Sequence, residues 1–123
     1  RYARATQHFK SVYGNVPSHI FRAPGRVNLI GEHTDYNHGY VMPVALDKDV
    51  LLLAKPRTDS KIQLHNIQAD YPASTFDIAT AIPKDPDNYW SNYARGMAQV
   101  LANEVVAISR ANTLRGFEAL IGS

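Results

Sequence analysis

The sequence predicts an α+β fold, on three observations. Helical periodicity occurs near the start of the chain and again over residues 88–103, and the stretch between is rich in strand-like runs. Those runs follow one another through short turns, at hairpin spacing, without the strict alternation of a doubly wound parallel sheet. Neither a GxGxxG nor a GxxxxGKS/T turn, which would open such a parallel fold around a nucleotide, occurs in the chain.

Taken in order, residues 1–13 read as an amphipathic helix in which Tyr2, Phe9 and Tyr13 share a face, ended by Gly14 and Pro17. His19–Ala23 alternates as a first strand, broken at Ala23-Pro24-Gly25, and Val27–Ile30 form a second short stretch. Gly31 to Gly39 is polar, and Tyr40 to Leu46 is apolar again. Asp49–Lys55 is a β-rich buried run, Arg57-Thr58-Asp59-Ser60 a turn, and Ile62, Leu64 and Asn66 mark a returning strand. Another strand falls at Ser74–Ile78, and Pro83 and Pro86 punctuate a loop. The helix Asn88 to about Asn103 is capped by Asp87 or Asn88 and gathers Trp90, Tyr93, Ala94, Met97, Ala98 and Leu101 on one face. Leu114–Ile121 reads as a final strand. It stops at Gly122-Ser123 with nothing to close it, and the first residue is Arg1 rather than Met. The expectation is a piece of a longer polypeptide.

Composition narrows the function. The chain has 123 residues, 45% apolar and 20% charged, the profile of a globular domain. Its 13 Lys and Arg exceed 11 Asp and Glu only slightly and are scattered, which argues against a nucleic-acid partner. The absence of cysteine excludes a disulfide scaffold and a thiolate metal site, and fits a reducing, cytoplasmic compartment. The longest uninterrupted apolar run, Val50 to Ala54, is too short to span a bilayer, so no membrane role is expected.

The segment that carries chemistry is APGRVNLIGEHTDYNHGY, Ala23 to Tyr40. Gly25, Gly31 and Gly39 allow sharp bends and close approach of a ligand. Between them stand Arg26, Glu32, His33 and Asp35, flanked by Val27, Leu29 and Ile30 as apolar anchors. On residue types alone, Glu32, His33 and Asp35 fit either a solvated loop or a site for a small polar ligand. A metal site from Glu32, His33, Asp35 and His38 has suitable residue types, but its spacing matches no zinc or calcium pattern. Arg26 fits a surface ion pair as readily as a binding role.

The nineteen adjacent residues GRVNLIGEHTDYNHGYVMP, Gly25 to Pro43, closely resemble the signature of galactokinases, members of the GHMP family of small-molecule kinases. Ala45-Leu46-Asp47 follows at the family's position. Tyr89-Trp90-Ser91-Asn92-Tyr93-Ala94-Arg95-Gly96 resembles a family helix, and Gly116-Phe117 the approach to its phosphate loop. His38 departs from the pattern, where the family more often has a small residue. The resemblance implies that residues 1–123 are the N-terminal portion of a GHMP-kinase N-terminal domain, with a mixed or antiparallel sheet and helices packed on it, incomplete as it stands. Residues 23–43 would be the galactose-binding signature.

The implied reaction is ATP-dependent phosphorylation of galactose at its anomeric hydroxyl. By the same resemblance, Glu32 and His33 bond the hydroxymethyl end of the sugar and Asp35 accepts from the C3 and C4 hydroxyls. Arg26 corresponds to the arginine between the attacking oxygen and the γ-phosphate, and Trp90, Asn92 and Tyr93 to residues near the adenine. For Trp90 and Tyr93, packing in the core is an equal alternative. The family's phosphate loop, its Mg2+ ligands and its catalytic base all follow the last strand of this chain. The segment alone is therefore expected to be inactive and poorly soluble, its partner being the remainder of the galactokinase chain. Two alternatives share the resemblance: a galactose- and ATP-binding sensor that engages a transcriptional regulator, and a kinase for N-acetylgalactosamine or arabinose.

Overall fold

The computed structural model describes residues 1–108 and 114–123, leaving aside the side chains of residue 35 and of residues 105–108. Helix α1 (Tyr2–Tyr13) is followed by strands β1 (His19–Ile30), β2 (Met42–Pro56), β3 (Lys61–Asn66) and β4 (Ser74–Asp77), helix α2 (Asn92–Ile108) and strand β5 (Phe117–Gly122). The strands form one sheet in the order β1-β2-β5-β3-β4. Every neighbouring pair is antiparallel except β3 and β5, which run parallel. The mixed sheet and α+β class are as the sequence predicts.

Side-chain alternation along the strands divides the core between the two faces of the sheet. On one face Leu51, Leu53 and Leu120 meet Ala5 and Phe9 of α1, with Tyr13 and Ile67 at the margin. On the other, Ala54, Ile62, Leu64, Phe76 and Ala119 are covered by Trp90, Ala94 and Ala98. On α1 it is Ala5 and Phe9 that are buried, whereas Tyr2 is half exposed. Gly14 ends the helix in the left-handed conformation at φ 71°, its N–H donating to the Lys10 carbonyl at 2.9 Å. The Tyr13 hydroxyl lies 3.0 Å from the Gln63 carbonyl, 2.9 Å from that of Ala119 and 2.9 Å from His65 Nδ1, fastening α1 across β3 and β5.

Four boundaries differ from expectation. The break at Ala23-Pro24-Gly25 does not divide two strands. β1 is an edge strand, where the N–H that proline lacks goes unmissed, and the bulge beside it lies on β2, opposite Gly25. Likewise Tyr40–Leu46 and Asp49–Lys55 belong, from Met42 onward, to the single strand β2. The second helix begins at Asn92 rather than Asn88: Tyr89–Ser91 form a 3-10 turn, and α2 runs from Asn92 past Asn103 to Ile108. Its expected face is also too wide. Tyr93 is 87% exposed and Met97 62%, because Trp90, Ala94 and Ala98 occupy the centre of the stripe and the others fall on its flank. The last strand starts at Phe117 rather than Leu114.

Arg57 ties the β2–β3 turn to the centre of the sheet. Its Nε and Nη2 each donate to Asp59 at 2.7 Å, and Nη1 donates to Glu118 at 3.0 Å. This guanidinium holds the Asp59 carboxyl at about 2, below its ordinary 3.8. A depressed carboxyl stabilises the fold above its unfolded value and ceases to do so as pH falls through the folded one. Acidification from about pH 4 to pH 2 is therefore expected to lower the thermal midpoint. Asp59→Asn should flatten part of that slope in thermal unfolding followed against pH; an identical slope would show that the pair contributes nothing.

Beyond the sheet, β1 and β2 continue as a two-stranded arm. β5 pairs with β2 only between Leu51 and Pro56, so residues 23–50 extend past every other strand. Asp49, buried at the base of the arm, forms ion pairs with Arg22 of β1 and with Arg1 ahead of α1. The hydrogen bond from Arg22 leads in holding the Asp49 carboxyl below its ordinary value.

Candidate functional site

The sequence-predicted sugar loop is the tip of this arm. Two irregularities shape the approach to it. Between Pro24↔Asp49 and Arg26↔Ala45, Gly25 alone faces Leu46, Asp47 and Lys48, and a Cβ on Gly25 would stand 3.2 Å from the Lys48 carbonyl oxygen. Between Asn28↔Pro43 and Ile30↔Met42, Leu29 is an extra residue on β1. A shift of two residues keeps the strand's faces, whereas a shift of one exchanges them, so the second bulge re-aims whatever follows it.

At the tip the backbone is folded by internal bonds. Gly31 takes φ 104°, and a Cβ there would lie 2.6 Å from the Tyr40 carbonyl oxygen, so only glycine fits. Asp35–Asn37 make one 3-10 turn. His33 and His38 both adopt left-handed conformations, at φ 61° and 58°. That accounts for His38 as the departure from the signature: its position favours a residue with little or no side chain.

The side chains point to a different use. Glu32 and His33 are exposed, and among the described residues Glu32 makes no hydrogen bond or ion pair. His33 Nδ1 meets only the hydroxyl of Tyr36. Backbone polarity is satisfied inside the loop, and the Glu32 and His33 side chains are left accessible to solvent or to a ligand. Asp35 opens the 3-10 turn immediately after. Arg26 is exposed on β1 and also has no bonding partner among the described residues. It lies four positions before Ile30, about 13 Å back along the strand at the usual rise per residue. Arg26 and the loop are thus separate positions along the arm.

The residues expected near a nucleotide separate. Trp90 packs on the core and its Nε1 donates to the Pro72 carbonyl at 3.0 Å. The Asn92 amide is used at both ends, accepting from Asp85 N at 2.8 Å and donating to the Asp85 carbonyl at 2.9 Å. Tyr93 stands out from the helix. Trp90 lines a cavity of about 250 Å3, shared with Asn66, Gln68, Tyr71 and Ile121 beside Gly122 and Ser123. Sequence reasoning missed what fixes this region. Arg95, buried, reaches Ser74 Oγ at 3.0 Å, Ser91 Oγ at 3.2 Å and Asp85 at 3.3 Å, and lies 4.7 Å over the Phe76 ring. Among the described residues no three His, Asp or Glu side chains come together as a metal site, and no helix is long and apolar enough to cross a membrane.

Comparison with known proteins places the architecture. Over 99% of the chain it superposes on the crystal structure of Lactococcus lactis galactokinase complexed with galactose, with TM-score 0.76 and 35% identity, covering 30% of that protein. Over 85% it also superposes on Methanococcus jannaschii mevalonate kinase, with TM-score 0.55 and 20% identity, covering 32% of that protein, which is a likeness of fold alone. The sheet with its two helices and the projecting arm is thus part of a GHMP-kinase fold. Residues 7–56, which include the whole arm, match the galactokinase galactose-binding signature. Curated galactokinases of Chloroflexus aurantiacus and Chloroflexus aggregans are 41% and 42% identical over 94% of the chain. The chain belongs to the galactokinase family. It spans 27% of the length of those two relatives.

Proposed function

We propose that this chain provides the sugar-binding loop of an ATP-dependent kinase that phosphorylates galactose on its C1 hydroxyl. The observation that carries the reading is the tip of the arm, whose backbone is closed on itself while Glu32 and His33 are exposed, Glu32 without a partner among the described residues and His33 meeting only the neighbouring Tyr36 hydroxyl. The family signature over the same residues supports it. Glu32 and His33 would hold the hydroxymethyl end of the sugar. Asp35 would accept from the hydroxyls at C3 and C4, since an ionised carboxylate offers several lone-pair directions to neighbouring donors. An equatorial C4 hydroxyl would leave that carboxylate underpaired, which selects galactose over glucose.

Arg26, set back along the arm, would meet the transferring phosphoryl group and offset its developing charge. ATP would approach from the side of Trp90. By the family resemblance, the ligands of Mg2+ would come from elsewhere in the polypeptide. A segment with the sugar loop alone positions one substrate of two, and phosphoryl transfer depends on positioning both. By itself it would bind galactose weakly and turn nothing over; its activity would belong to a longer, cytoplasmic enzyme.

The deciding experiment uses the intact protein. Galactose-dependent ADP release is expected, with Asp35→Asn weakening galactose binding at least about tenfold. Galactose binding without ADP release would favour a sensor over a kinase. Unchanged affinity in Asp35→Asn would sink the sugar-loop reading.

A further inference from the structure

Glu32 and His33 can meet a ligand only if the loop beneath them holds its shape, and one residue between the site residues makes most of the bonds that close it. Thr34 Oγ1 donates to the Gly31 carbonyl at 2.6 Å and lies 3.1 Å from the Tyr40 carbonyl, so one hydroxyl stands between the two stems of the loop. The Thr34 carbonyl accepts from Gly39 N at 2.7 Å and from Asn37 N at 3.1 Å. The surroundings are shaped to this residue. A Cβ on Gly39 would stand 2.8 Å from Thr34 Cβ. Asn37 Nδ2 donates to the His33 carbonyl at 2.7 Å, holding the left-handed His33 from the other side.

Resting on the sugar-loop reading, we propose that Thr34 is a positioning residue: its hydroxyl clasps the two stems so that Glu32 and His33 are aimed before any sugar arrives. A hydroxyl suits this place for a definite reason. It has one proton and two acceptors within reach, the closer taking the bond and the second receiving it when the torsion turns. The two carbonyls belong to opposite stems, so either bond opposes their separation. Preorganisation of this kind lowers the ordering cost of binding and shows itself as affinity.

The test pairs Thr34→Val, which keeps the shape and removes the hydroxyl, with Thr34→Ser, which keeps the hydroxyl, both in the full-length protein. Thr34→Val is expected to speed amide hydrogen exchange at Gly39 in the sugar-free protein by about tenfold and to weaken galactose binding by a similar factor. Its galactose KM should rise more than its kcat falls. Thr34→Ser should restore both exchange and affinity. Wild-type exchange and affinity in Thr34→Val, or a serine variant as impaired as the valine, would overturn the clasp.

Asp35→Asn separates this proposal from the reading on which it rests. If it weakens galactose while Thr34→Val leaves exchange and affinity unchanged, the clasp is wrong and the sugar loop stands. If it leaves galactose affinity intact, the sugar-loop reading fails, while exchange at Gly39 still reports whether the hydroxyl closes the loop. Should Thr34→Val not fold, Gly39→Ala presses on Thr34 from the opposite side and is expected to show the same loss of affinity. Unaltered binding in that variant overturns the proposal.

Discussion

Replacing Arg26 by alanine is expected to lower the kcat of the intact enzyme by about a thousandfold, the magnitude associated with an arginine that meets a transferring phosphoryl group. Galactose affinity should change by less than about threefold, because a contact made only in the transition state adds little to ground-state binding. The structure makes the experiment clean. Arg26 is exposed on an edge strand and has no ion pair among the described residues, so its removal leaves the packing intact. Thermal midpoints should coincide for the two proteins. Arg26→Lys should recover little, since an ammonium cannot reproduce the planar fork of a guanidinium. Steady-state kinetics beside equilibrium galactose binding provide the check. Equal damage to turnover and affinity would show that Arg26 holds the sugar and not the developing charge.

The largest loss of stability is expected at Gly116. A Cβ there would fall 2.0 Å from the Lys61 carbonyl oxygen and 2.6 Å from the Lys61 N and C atoms, all of them backbone. Nothing flexible can retreat. Gly116 N also donates to the Asp59 carbonyl at 2.7 Å, and its own carbonyl accepts from Arg57 N at 2.9 Å, so the glycine cannot swing away without undoing the turn. Gly116→Ala should cost about 3 kcal/mol or more, beyond the usual range for overpacking because backbone meets backbone. Gly96 is the contrast: it lies in α2 with nothing within 4 Å of its would-be Cβ. Gly96→Ala should stabilise by about 1 kcal/mol. Denaturant midpoints of the two variants test the pair together. A Gly116→Ala protein as stable as the parent would mean that β3 and β5 are not held as the structure has them.

The sequence showed the arm's residues without showing the arm. Alternation at His19–Ala23 and the β-rich apolar run at Asp49–Lys55 were visible, and the polar stretch between Gly31 and Gly39 stood out by composition. Pro24 hid the continuity of β1, because a proline reads as a stop until it is known to lie on an edge. Glu32, His33 and Asp35 were legible through their motif. Thr34 was not, since a threonine hydroxyl becomes significant only once the loop brings the Gly31 and Tyr40 carbonyls to either side of it. Arg95 carried no signal of its own beyond its place in the helix motif. Its burial follows from the approach of Ser74 and Asp85, residues ten or more positions away that no helical pattern connects to it. The same limit applied to Tyr93 and Met97, where periodicity gave the direction of the stripe but not the width that the sheet would cover.

The place of β5 has a consequence for how the protein is made. This strand is the last in the chain, yet it sits in the middle of the sheet, between β2 and β3. On a ribosome, the β1–β2 and β3–β4 hairpins can form early, each from neighbours in sequence. Neither can join the other until residues 117–122 emerge to be inserted between them. The nascent chain must therefore carry two separate hairpins, marginal on their own, through the synthesis of about forty residues from Asp77 to Phe117. Such long-range closure is slow and leaves unpaired strand edges exposed during elongation. A holding chaperone would find its substrate in that window, and pausing of translation just before Phe117 would lengthen the vulnerable interval.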